Sequence, residues 1–511
     1  MERHNMKNLL LIAGDYTLYL AKKLIEENIF DNIFCLLFRR YINSEVINFF
    51  NNNERLAYCV ADDVELYENY EDFCDLNAIP ALDKKTLTDM LPYESMALRL
   101  GRRRDEYPVI DYEEEKMYYE KALRYWSYIF SKYQINYMFN DREPHYRYAY
   151  IIYALAKIQK CKILLCTTSS IPDIMVYGDS IETAGNHIKE YYNSLEKCDY
   201  DIPMGRVLEY YQKYTQPIEE IKEVHVSWNK NNQKEVSNEY FSNHLGIKGH
   251  TRLLRSIIHE AKRNPQGKQI RELKQKIPYF KWVKRNRRRI AYFLRHDACS
   301  LADYNKIAVD PDYSKKYIYF ALQLTPEETI MPKAGVFADQ YNSIQLIARI
   351  AQKYGIWIYV KEHFVQAYRE KEFYRILQTI PNVKLIKTTV MSFDLIENSI
   401  AVATQTGTCI LEGVLKGKPA IVTSSGQIWK GIPYVYEIED ELQGSEIMQK
   451  IVDGIIIENE AVKRYFYAIA ESTFYLYPAE RPDDVKKPEY ADGINKLTQL
   501  LSDFTDDRLS L

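Results

Sequence analysis

Residues 404–413 read TQTGTCILEG, and they are preceded by YIYFALQLTPEET at 317–329 and VKEH at 360–363. In each of these stretches an apolar run typical of a β-strand gives way to the polar residues of a loop or helix. A GKP turn at 417–419 closes the region. In an open parallel α/β sheet such strand ends form the carboxyl edge, where ligands bind beside helix N-termini. The pattern predicts a nucleotide site at this edge.

The composition favours a globular α/β protein without a dominant charge. The chain has 511 residues, enough for two or three domains, and its 46% hydrophobic residues give each domain material for a core. The 68 basic and 71 acidic residues leave a net charge of -3, so no global field favours nucleic acid or an acidic partner. A site for a polyanion must therefore be local.

The cysteines and the N-terminus both favour a cytoplasmic protein. The eight cysteines are scattered, mostly within apolar runs, and show no paired spacing of metal ligands. They are expected to be buried thiols in a reducing compartment, and no metal site is predicted. The apolar run from Leu9 to Ala13 is too short for a signal-peptide core or a membrane span.

The alternation of β-type runs with helical periodicity predicts an α/β fold with two Rossmann-like domains facing across a cleft. In the second half, a helix is expected near 366–379. Residues 225–305 lack strand signals and carry many Lys and Arg. The predicted units are 1–224, an N-terminal Rossmann-like domain; 225–305, a basic helical linker or insertion; 306–475, a C-terminal Rossmann-like domain; and 476–511, C-terminal helices that could cross back.

The residues Thr406, Gly407 and Thr408 fall where a strand meets a helix. Free backbone N–H groups, two hydroxyls and a glycine that permits close approach can hold a phosphate there. Glu412, one turn after Thr408, faces the same side and could accept hydrogen bonds from ribose hydroxyls. The alternative is an ordinary capped helix with a glycine turn.

His363 lies at another strand end, two residues after Lys361. A histidine there can donate to a phosphate oxygen and stabilise a leaving group, while Lys361 adds positive charge. Gln323 and Glu327, on the loop after the first C-terminal strand, are candidates to contact a base, a ribose or a sugar. Structural roles stay open, because a strand-end histidine can bond a loop carbonyl and Glu327 can cap the turn that follows.

A second polar cluster is expected in the N-terminal half. The loop from Asp141 to His145 brings a carboxylate, a guanidinium and an imidazole to a strand end, which suits acid–base chemistry or recognition of an acidic sugar. Glu143 is the first candidate for a catalytic carboxylate, with His145 beside it, and Asp179 and Glu182 are the reserves. Asp and Ser at strand ends are also ordinary turn formers.

Residues 255–295 carry a dense basic run with aromatic residues between the charges. A basic helix of this kind suits an anionic membrane surface, with 271–289 as the contact. A solvated face explains the run at least as well. Nucleic acid is not expected as a partner, because the chain shows no groove-reading motif.

The order of these motifs resembles the C-terminal half of bacterial capsule polysaccharide biosynthesis glycosyltransferases. The similar features are LQ and PE within 322–329, DQ at 339–340, VKEH, and TGT followed by Glu412 and GKP. In particular they resemble the β-Kdo transferase group, whose GT-B fold is related to that of bacterial sialyltransferases. The resemblance covers about 310–430 and extends weakly over 135–185. It implies GT-B architecture and a CMP-activated acidic sugar held without a metal ion.

Two departures from the family pattern bear on the site. Phe364 stands where related families usually have a proline after the histidine, which removes a rigid loop residue but keeps the histidine. The Glu-Asp-Gly-Phe type motif that carries the catalytic Asp of the best-known Kdo transferases has no match. The nucleophile or base, and with it the stereochemical outcome, stay open.

The resemblance implies an enzyme that moves a Kdo-like sugar from CMP to a surface polysaccharide or glycolipid, with no cofactor beyond the donor. The N-terminal domain would take the acceptor and the C-terminal domain the nucleotide sugar, in the cytoplasm or at the inner face of the cell membrane. Two alternatives stay open: a CDP-glycerol glycerophosphotransferase of teichoic-acid type, and a non-catalytic glycan- or nucleotide-binding protein. The candidate catalytic residues are Glu143, His145, Asp179 and His363, and the candidate donor-binding residues are Gln323, Glu327, Lys361, His363, Thr406, Gly407, Thr408 and Glu412.

Overall fold

The computed structural model describes residues 6–509 apart from 38–41, 43, 61–69, 71–73, 102–111, 170, 218–297, 326, 328–329, 365, 367, 425–427 and 477–486. The predicted basic contact at 271–289 lies outside the described residues. So do most of the segment predicted as a linker at 225–305 and the predicted boundary at 224.

The N-terminal half alternates strands and helices along the chain. Its strands are apolar runs, and side chains such as Leu9 and Leu11 have no exposed surface. Strands buried on both faces need a layer of helices on each side, which the intervening helices supply. The elements are β1 (Asn8–Ile12), α1 (Thr17–Glu26), β2 (Asn32–Leu37), α2 (Ser44–Asn51), β3 (Leu56–Val60), α3 (Lys84–Gly101), α4 (Tyr112–Lys132), β4 (Tyr137–Asn140), α5 (Arg147–Ile158), β5 (Lys162–Thr168), β6 (Ile174–Gly178), α6 (Asn186–Ser194) and α7 (Arg206–Thr215).

The C-terminal half repeats the alternation with shorter strands. Its core strands are again apolar, and Ile318, Phe320 and Val402 are fully buried. The last strand and helix of the chain follow this half. The elements are β7 (Ala298–Ser300), α8 (Leu301–Ile307), β8 (Tyr317–Ala321), α9 (Tyr341–Gln352), β9 (Trp357–Lys361), β10 (Tyr368–Glu370), α10 (Lys371–Gln378), β11 (Val383–Ile386), α11 (Ser392–Asn398), β12 (Ala401–Thr404), α12 (Cys409–Leu415), β13 (Ala420–Val422), β14 (Val435–Glu437), α13 (Glu441–Asp453), α14 (Asn459–Ser472), β15 (Phe474–Tyr475) and α15 (Pro488–Thr505).

Each half is organised around one open sheet. The N-terminal sheet has the order β15-β6-β5-β4-β1-β2-β3, with β6 antiparallel to β5 and β15 antiparallel to β6. The C-terminal sheet has the order β11-β9-β8-β12-β13-β14, and its pairs are all parallel. The order of strands reverses once in each sheet, between β1 and β4 and between β8 and β12. We call these the N-terminal and C-terminal switch points, and a crevice for ligands opens above such a point.

Two local predictions are wrong for the same reason. The helix expected near 366–379 begins only at Lys371, because Tyr368–Glu370 forms β10. The segment 225–305, expected to lack strands, contains β7 near its end, and β7 pairs with β10 in an antiparallel ribbon. Strands of three residues are too short to show a period of two, so their pairing is invisible to a search for periodicity.

The end of the chain returns to the N-terminal sheet. Strand β15 pairs with β6 at the sheet edge, and α15 packs against α1. Leu497, Leu501 and Phe504 of α15 are buried in the same apolar cluster as Leu9 and Leu24. Helix α14 contacts α6 and α7. The two halves are therefore joined by packing as well as by the chain.

The two sheets face each other along their carboxyl edges. Lys333, in the connection after β8, forms an ion pair with Glu143, in the loop after β4. Two Rossmann-like α/β units opposed in this way form the GT-B architecture, as predicted. None of the described helices is both long and apolar enough to cross a membrane.

Replacing Leu497 with Ala should destabilise the protein by about 2–5 kcal/mol, because a cavity would replace a fully buried side chain between α15 and the N-terminal sheet. Urea unfolding followed by circular dichroism measures the change. The matched control is Gln499→Ala on the exposed face of α15, which should change the free energy of unfolding by no more than about 0.5 kcal/mol. Equal effects of the two changes would contradict this packing of α15.

Candidate functional site

A buried amide joins the two loops at the C-terminal switch point. Gln323 follows β8 and Thr406 follows β12, and each is 7% exposed. The backbone N–H of Thr406 donates to Gln323 Oε1 at 3.1 Å, and Gln323 Nε2 donates to the Thr406 hydroxyl at 2.7 Å. Because buried amides need hydrogen-bond partners, this pair fixes the two loops relative to each other. These two side chains, predicted to contact a ligand, bind each other.

The contact between Gln323 and Thr406 is a hydrogen-bonded joint, and two further glutamines extend it. Gln340, at the start of α9, accepts from the backbone N–H of Gln323 at 2.9 Å and donates to its carbonyl at 3.1 Å. Gln366 makes the same pair of bonds with the backbone of Thr325, at 2.9 and 2.8 Å. Gln340 is fully buried with a φ of 54°, which a residue other than glycine adopts only where its surroundings fix it. The loops after β8 and β9 and the start of α9 thus form one hydrogen-bonded unit.

Glu362, which has no exposed surface, anchors the loop after β9. Its carboxylate accepts from Arg369 Nε at 2.8 Å, from the backbone N–H of His363 at 2.7 Å and from the Tyr374 hydroxyl. Arg369 also donates to the backbone carbonyl of Gln323 at 2.9 Å. A buried carboxylate is tolerated only with partners of this kind. Glu362 therefore holds the backbone beside His363.

The ring of His363 is partly exposed at the carboxyl edge. Burial lowers the pKa of His363, Lys361 and Arg369 add to the effect, and Glu362 opposes it. The lowered pKa favours the uncharged imidazole, which can donate one N–H hydrogen bond to a phosphate oxygen. The ring stacks on Phe364, with 4.9 Å between the ring centroids. The residue that stands in place of a proline thus helps to orient the histidine.

The loop from Thr406 to Thr408 presents backbone and one exposed hydroxyl. A Cβ on Gly407 would lie 3.1 Å from Thr404 Oγ1, a tight contact that a larger residue here would have to relieve. Thr408 is exposed, and its side chain forms a hydrogen bond with Glu412 one turn later. The geometry suits close approach of an anion to the backbone.

Lys361, the last residue of β9, is almost fully buried. Its ammonium donates to the Val390 carbonyl and to the Ser392 hydroxyl, at 2.8 Å each. Burial lowers the pKa of Lys361 to about 8, and the charges of Glu412 and Asp394 oppose the shift. The lysine, predicted to bind the donor directly, is thus bonded within the protein and acts as a fixed positive charge beneath the site.

Glu412 is an acidic side chain near Lys361 and Thr408 whose pKa is strongly shifted. Burial raises the pKa of Glu412 to about 7, opposed by Lys361, by the hydrogen bond with Thr408 and by Lys213. The side chain keeps some accessible surface, yet the protein around it disfavours its charge. Lys213 belongs to α7, so groups from both halves of the protein act on this carboxyl.

The N-terminal candidates gather around Glu143. Its side chain is 1% exposed, pairs with the ammonium of Lys333 and accepts a hydrogen bond from the Thr167 hydroxyl. His145 is also buried, and its Nδ1 contacts the backbone carbonyl of Glu143 at 2.8 Å. Because Lys333 comes from the C-terminal half, the Glu143 carboxylate lies at the junction of the two halves.

The structure does not bring Asp179 and Glu182, the reserve candidates for the catalytic carboxylate, to Glu143. Strand β6 runs antiparallel to β5, so it leads from the carboxyl edge back toward the amino edge. Asp179 follows β6 and accepts a hydrogen bond from the Thr183 hydroxyl at 2.6 Å, while Glu182 is exposed. The direction of β6 depends on its pairing with β5, which the sequence does not display.

Glu327 lies in the turn that leads away from β8. Its backbone carbonyl accepts from the N–H groups of Ile330 and Met331, at 3.1 and 2.9 Å. The backbone of Glu327 thus shapes the connection toward Lys333, and the ligand contact of its side chain stays a prediction. Sequence reasoning missed Lys333, because no local motif marks it.

Two buried amides at the switch points also escaped the sequence reasoning. Asn140 at the end of β4 is 1% exposed, and Gln405 just after β12 has no exposed surface. Within the part of the chain that the structure describes, none of their side-chain amide atoms has a hydrogen-bond partner. Buried polar atoms in this state commonly mark a place for water or a ligand. The signal in the sequence is an amide that directly ends an apolar run.

Comparison with known proteins finds similar folds only. No protein-family model and no curated protein matches the chain. KpsC of Thermosulfurimonas dismutans, a β-Kdo 2,7 transferase, is similar at 10% identity and a TM-score of 0.31, over 76% of this chain and 90% of that one. A UDP-GlcNAc 2-epimerase from Methanocaldococcus jannaschii is similar at 11% identity and a TM-score of 0.24, over 91% and 99%. The S. aureus MnaA–UDP structure is similar at 11% identity and a TM-score of 0.23, over 99% and 98%.

Glu412→Gln should flatten the pH dependence of stability. A carboxyl whose pKa rises from 4.5 to about 7 on folding binds more protons in the folded chain than in the unfolded chain between those values. The free energy of unfolding of the wild type should therefore fall as the pH rises through this window, and Glu412→Gln should lose that slope. Chemical denaturation between about pH 4 and about pH 8 measures it. The control is Glu446→Gln on the exposed face of α13; a wild-type slope in both variants would contradict the burial of Glu412.

Proposed function

We propose that this protein is a glycosyltransferase that holds a nucleotide-activated sugar at the C-terminal switch point and an acceptor at the N-terminal one. The observation that carries the proposal is the contact between Glu143, after β4, and Lys333, after β8. Ligands of open α/β sheets bind at switch points. Here two switch points border one cleft, so a donor and an acceptor could meet beside a carboxylate.

The donor would bind through backbone and a few side chains. Its phosphate would lie against the N–H groups of Gly407 and Thr408, with one further hydrogen bond from His363. Glu412 would accept hydrogen bonds from the ribose. Gln323 would position Thr406 without touching the donor. We propose metal-free binding, in which Lys361 supplies positive charge beneath the phosphate.

In the proposed reaction, an acceptor hydroxyl oxygen forms a bond to the anomeric carbon of the donor sugar. The bond between that carbon and the phosphate oxygen breaks, and the nucleoside monophosphate leaves with the electron pair. The proton of the acceptor hydroxyl passes to the Glu143 carboxylate. His363 stabilises the negative charge on the departing phosphate by its hydrogen bond. His145 would hold the Glu143 loop through its contact with the backbone.

We further propose a CMP-activated acidic sugar of the Kdo type as donor and a surface polysaccharide or lipid-linked glycan as acceptor. The support is the motif order at 322–329, 360–363 and 404–413, which resembles that of β-Kdo transferases. An acidic sugar also needs a cation. Arg142, half exposed beside Asp141 at 3.4 Å, offers one in the N-terminal loop.

Donor turnover separates this function from its alternatives. Release of the sugar from a CMP donor supports the transferase. Release of glycerol phosphate from CDP-glycerol would support a glycerophosphotransferase instead. Binding of CMP without turnover of either donor would support a non-catalytic binding protein.

Calorimetric titration with CMP tests the donor site. Thr408→Ala and Glu412→Ala should each weaken binding by about 1.5–3 kcal/mol, the usual effect of losing a hydrogen bond that involves a charged group. The matched control is Thr379→Ala at the exposed end of α10, which should bind as the wild type does. A chelator should leave the affinity unchanged. If neither site variant bound more weakly, the donor would have to lie elsewhere.

His363→Ala should slow donor turnover about a hundredfold, as loss of one preorganised donor to a developing negative charge commonly does. His363→Gln should recover part of the rate, because its amide can still donate. Both variants should unfold cooperatively near the wild-type temperature. A wild-type rate in His363→Ala would favour a purely structural histidine.

A further inference from the structure

A segment of the C-terminal half packs into the core of the N-terminal half. Residues 330–340, which we call the strap, run from the turn after β8 to the start of α9. Ile330, Met331, Ala334 and Ala338 are at most 5% exposed and belong to the apolar cluster that α3, α4 and α5 form with strands of the N-terminal sheet. These apolar contacts anchor the strap, and an ion pair between Asp339 and Arg99 of α3 adds to them.

Lys333 lies within the strap, and both its backbone and its side chain have partners. The Ser424 hydroxyl donates to its backbone carbonyl at 2.6 Å. Its ammonium contacts the Glu143 carboxylate, to which the Thr167 hydroxyl also donates. The side chains of Lys333 and Glu143 are only 12% and 1% exposed, so little water competes for their contact.

The strap ends in the hydrogen-bonded joint of the C-terminal switch point. Gln340, its last residue, bonds the backbone of Gln323, and the Gln323 side chain bonds Thr406. One continuous element therefore orders the loop that would hold the donor phosphate and delivers Lys333 to the N-terminal carboxylate.

We propose that Lys333 is a positioning residue for Glu143, fixing the direction of the carboxylate and compensating its charge from the opposite half of the protein. This inference rests on the proposed function, which gives Glu143 a role in transfer. Buried ion pairs contribute little net stability compared with apolar packing, and apolar contacts already hold the strap. A carboxylate that must accept a proton from one particular direction works better when a partner fixes its orientation.

The test compares three variants with a CMP-sugar donor. Lys333→Met removes the charge and keeps the aliphatic chain; it should lower kcat about tenfold to a hundredfold while CMP affinity stays within about twofold, as misalignment of one group can do. Lys333→Arg keeps a cation and should recover most of the rate. The matched control is Arg99→Gln, which breaks the ion pair between α3 and Asp339 of the strap without touching Glu143, and it should keep the wild-type kcat.

A second comparison applies if Lys333→Met alone is too unstable, since it leaves the Glu143 charge buried without a cation. The double variant Glu143→Gln, Lys333→Met removes both charges. Its residual donor-hydrolysis rate should equal that of Glu143→Gln, because residues that act through one another are not additive. A further loss of rate in the double variant overturns the inference.

The outcomes separate the inference from the proposed function. If the wild type turns over donor and Lys333→Met has the same kcat as the wild type, the inference alone is overturned. A wild type that binds CMP but turns over no donor overturns the proposed function and the inference with it. Equal losses of kcat in Lys333→Met and Arg99→Gln would assign the effect to undocking of the strap, and would also overturn the inference.

Discussion

The hydrogen-bonded joint between Gln323 and Thr406 is the constraint on which the candidate site depends. The loops after β8 and β12 leave the sheet in different directions at the switch point, and the buried amide holds them together. Two other parts of the site attach to the backbone of Gln323. Gln340 brings the strap to it, and Arg369 brings the loop that carries His363. A buried amide cannot release these partners without losing hydrogen bonds that water does not replace.

The charges of the site are arranged as buried or partly buried carboxylates with nearby cations. Glu362 has Arg369, Glu143 has Lys333, and the Glu412 carboxyl has Lys361 and Lys213 around it. Such arrangements are costly to desolvate and are poor sources of stability, so their value lies in fixed geometry and shifted pKa values. For Glu143 and Glu412 a cation comes from the opposite half of the protein. The electrostatics of the site are therefore complete only where the two halves meet.

Apolar packing sets the distance between the two switch points. The helix α15 returns to α1, α14 contacts α6 and α7, and the strap enters the cluster of α3 to α5. Each of these contacts joins segments distant in the sequence, and each buries side chains that would otherwise face water. A cleft held in this way presents its polar groups in place before a ligand binds, which lowers the entropic cost of binding.

Local patterns were enough to predict the α/β class, the two Rossmann-like halves and the strand ends that carry Gln323, His363 and Thr406, because apolar runs and their polar ends can be read along the chain. The same patterns misjudged the start of α10 and did not show the direction of β6, because short strands take their conformation from distant partners. The contact between Gln323 and Thr406 and the ion pair between Glu143 and Lys333 became visible only in the folded protein. Burial and proximity of such groups arise when remote segments pack together, and no spacing along the chain records them.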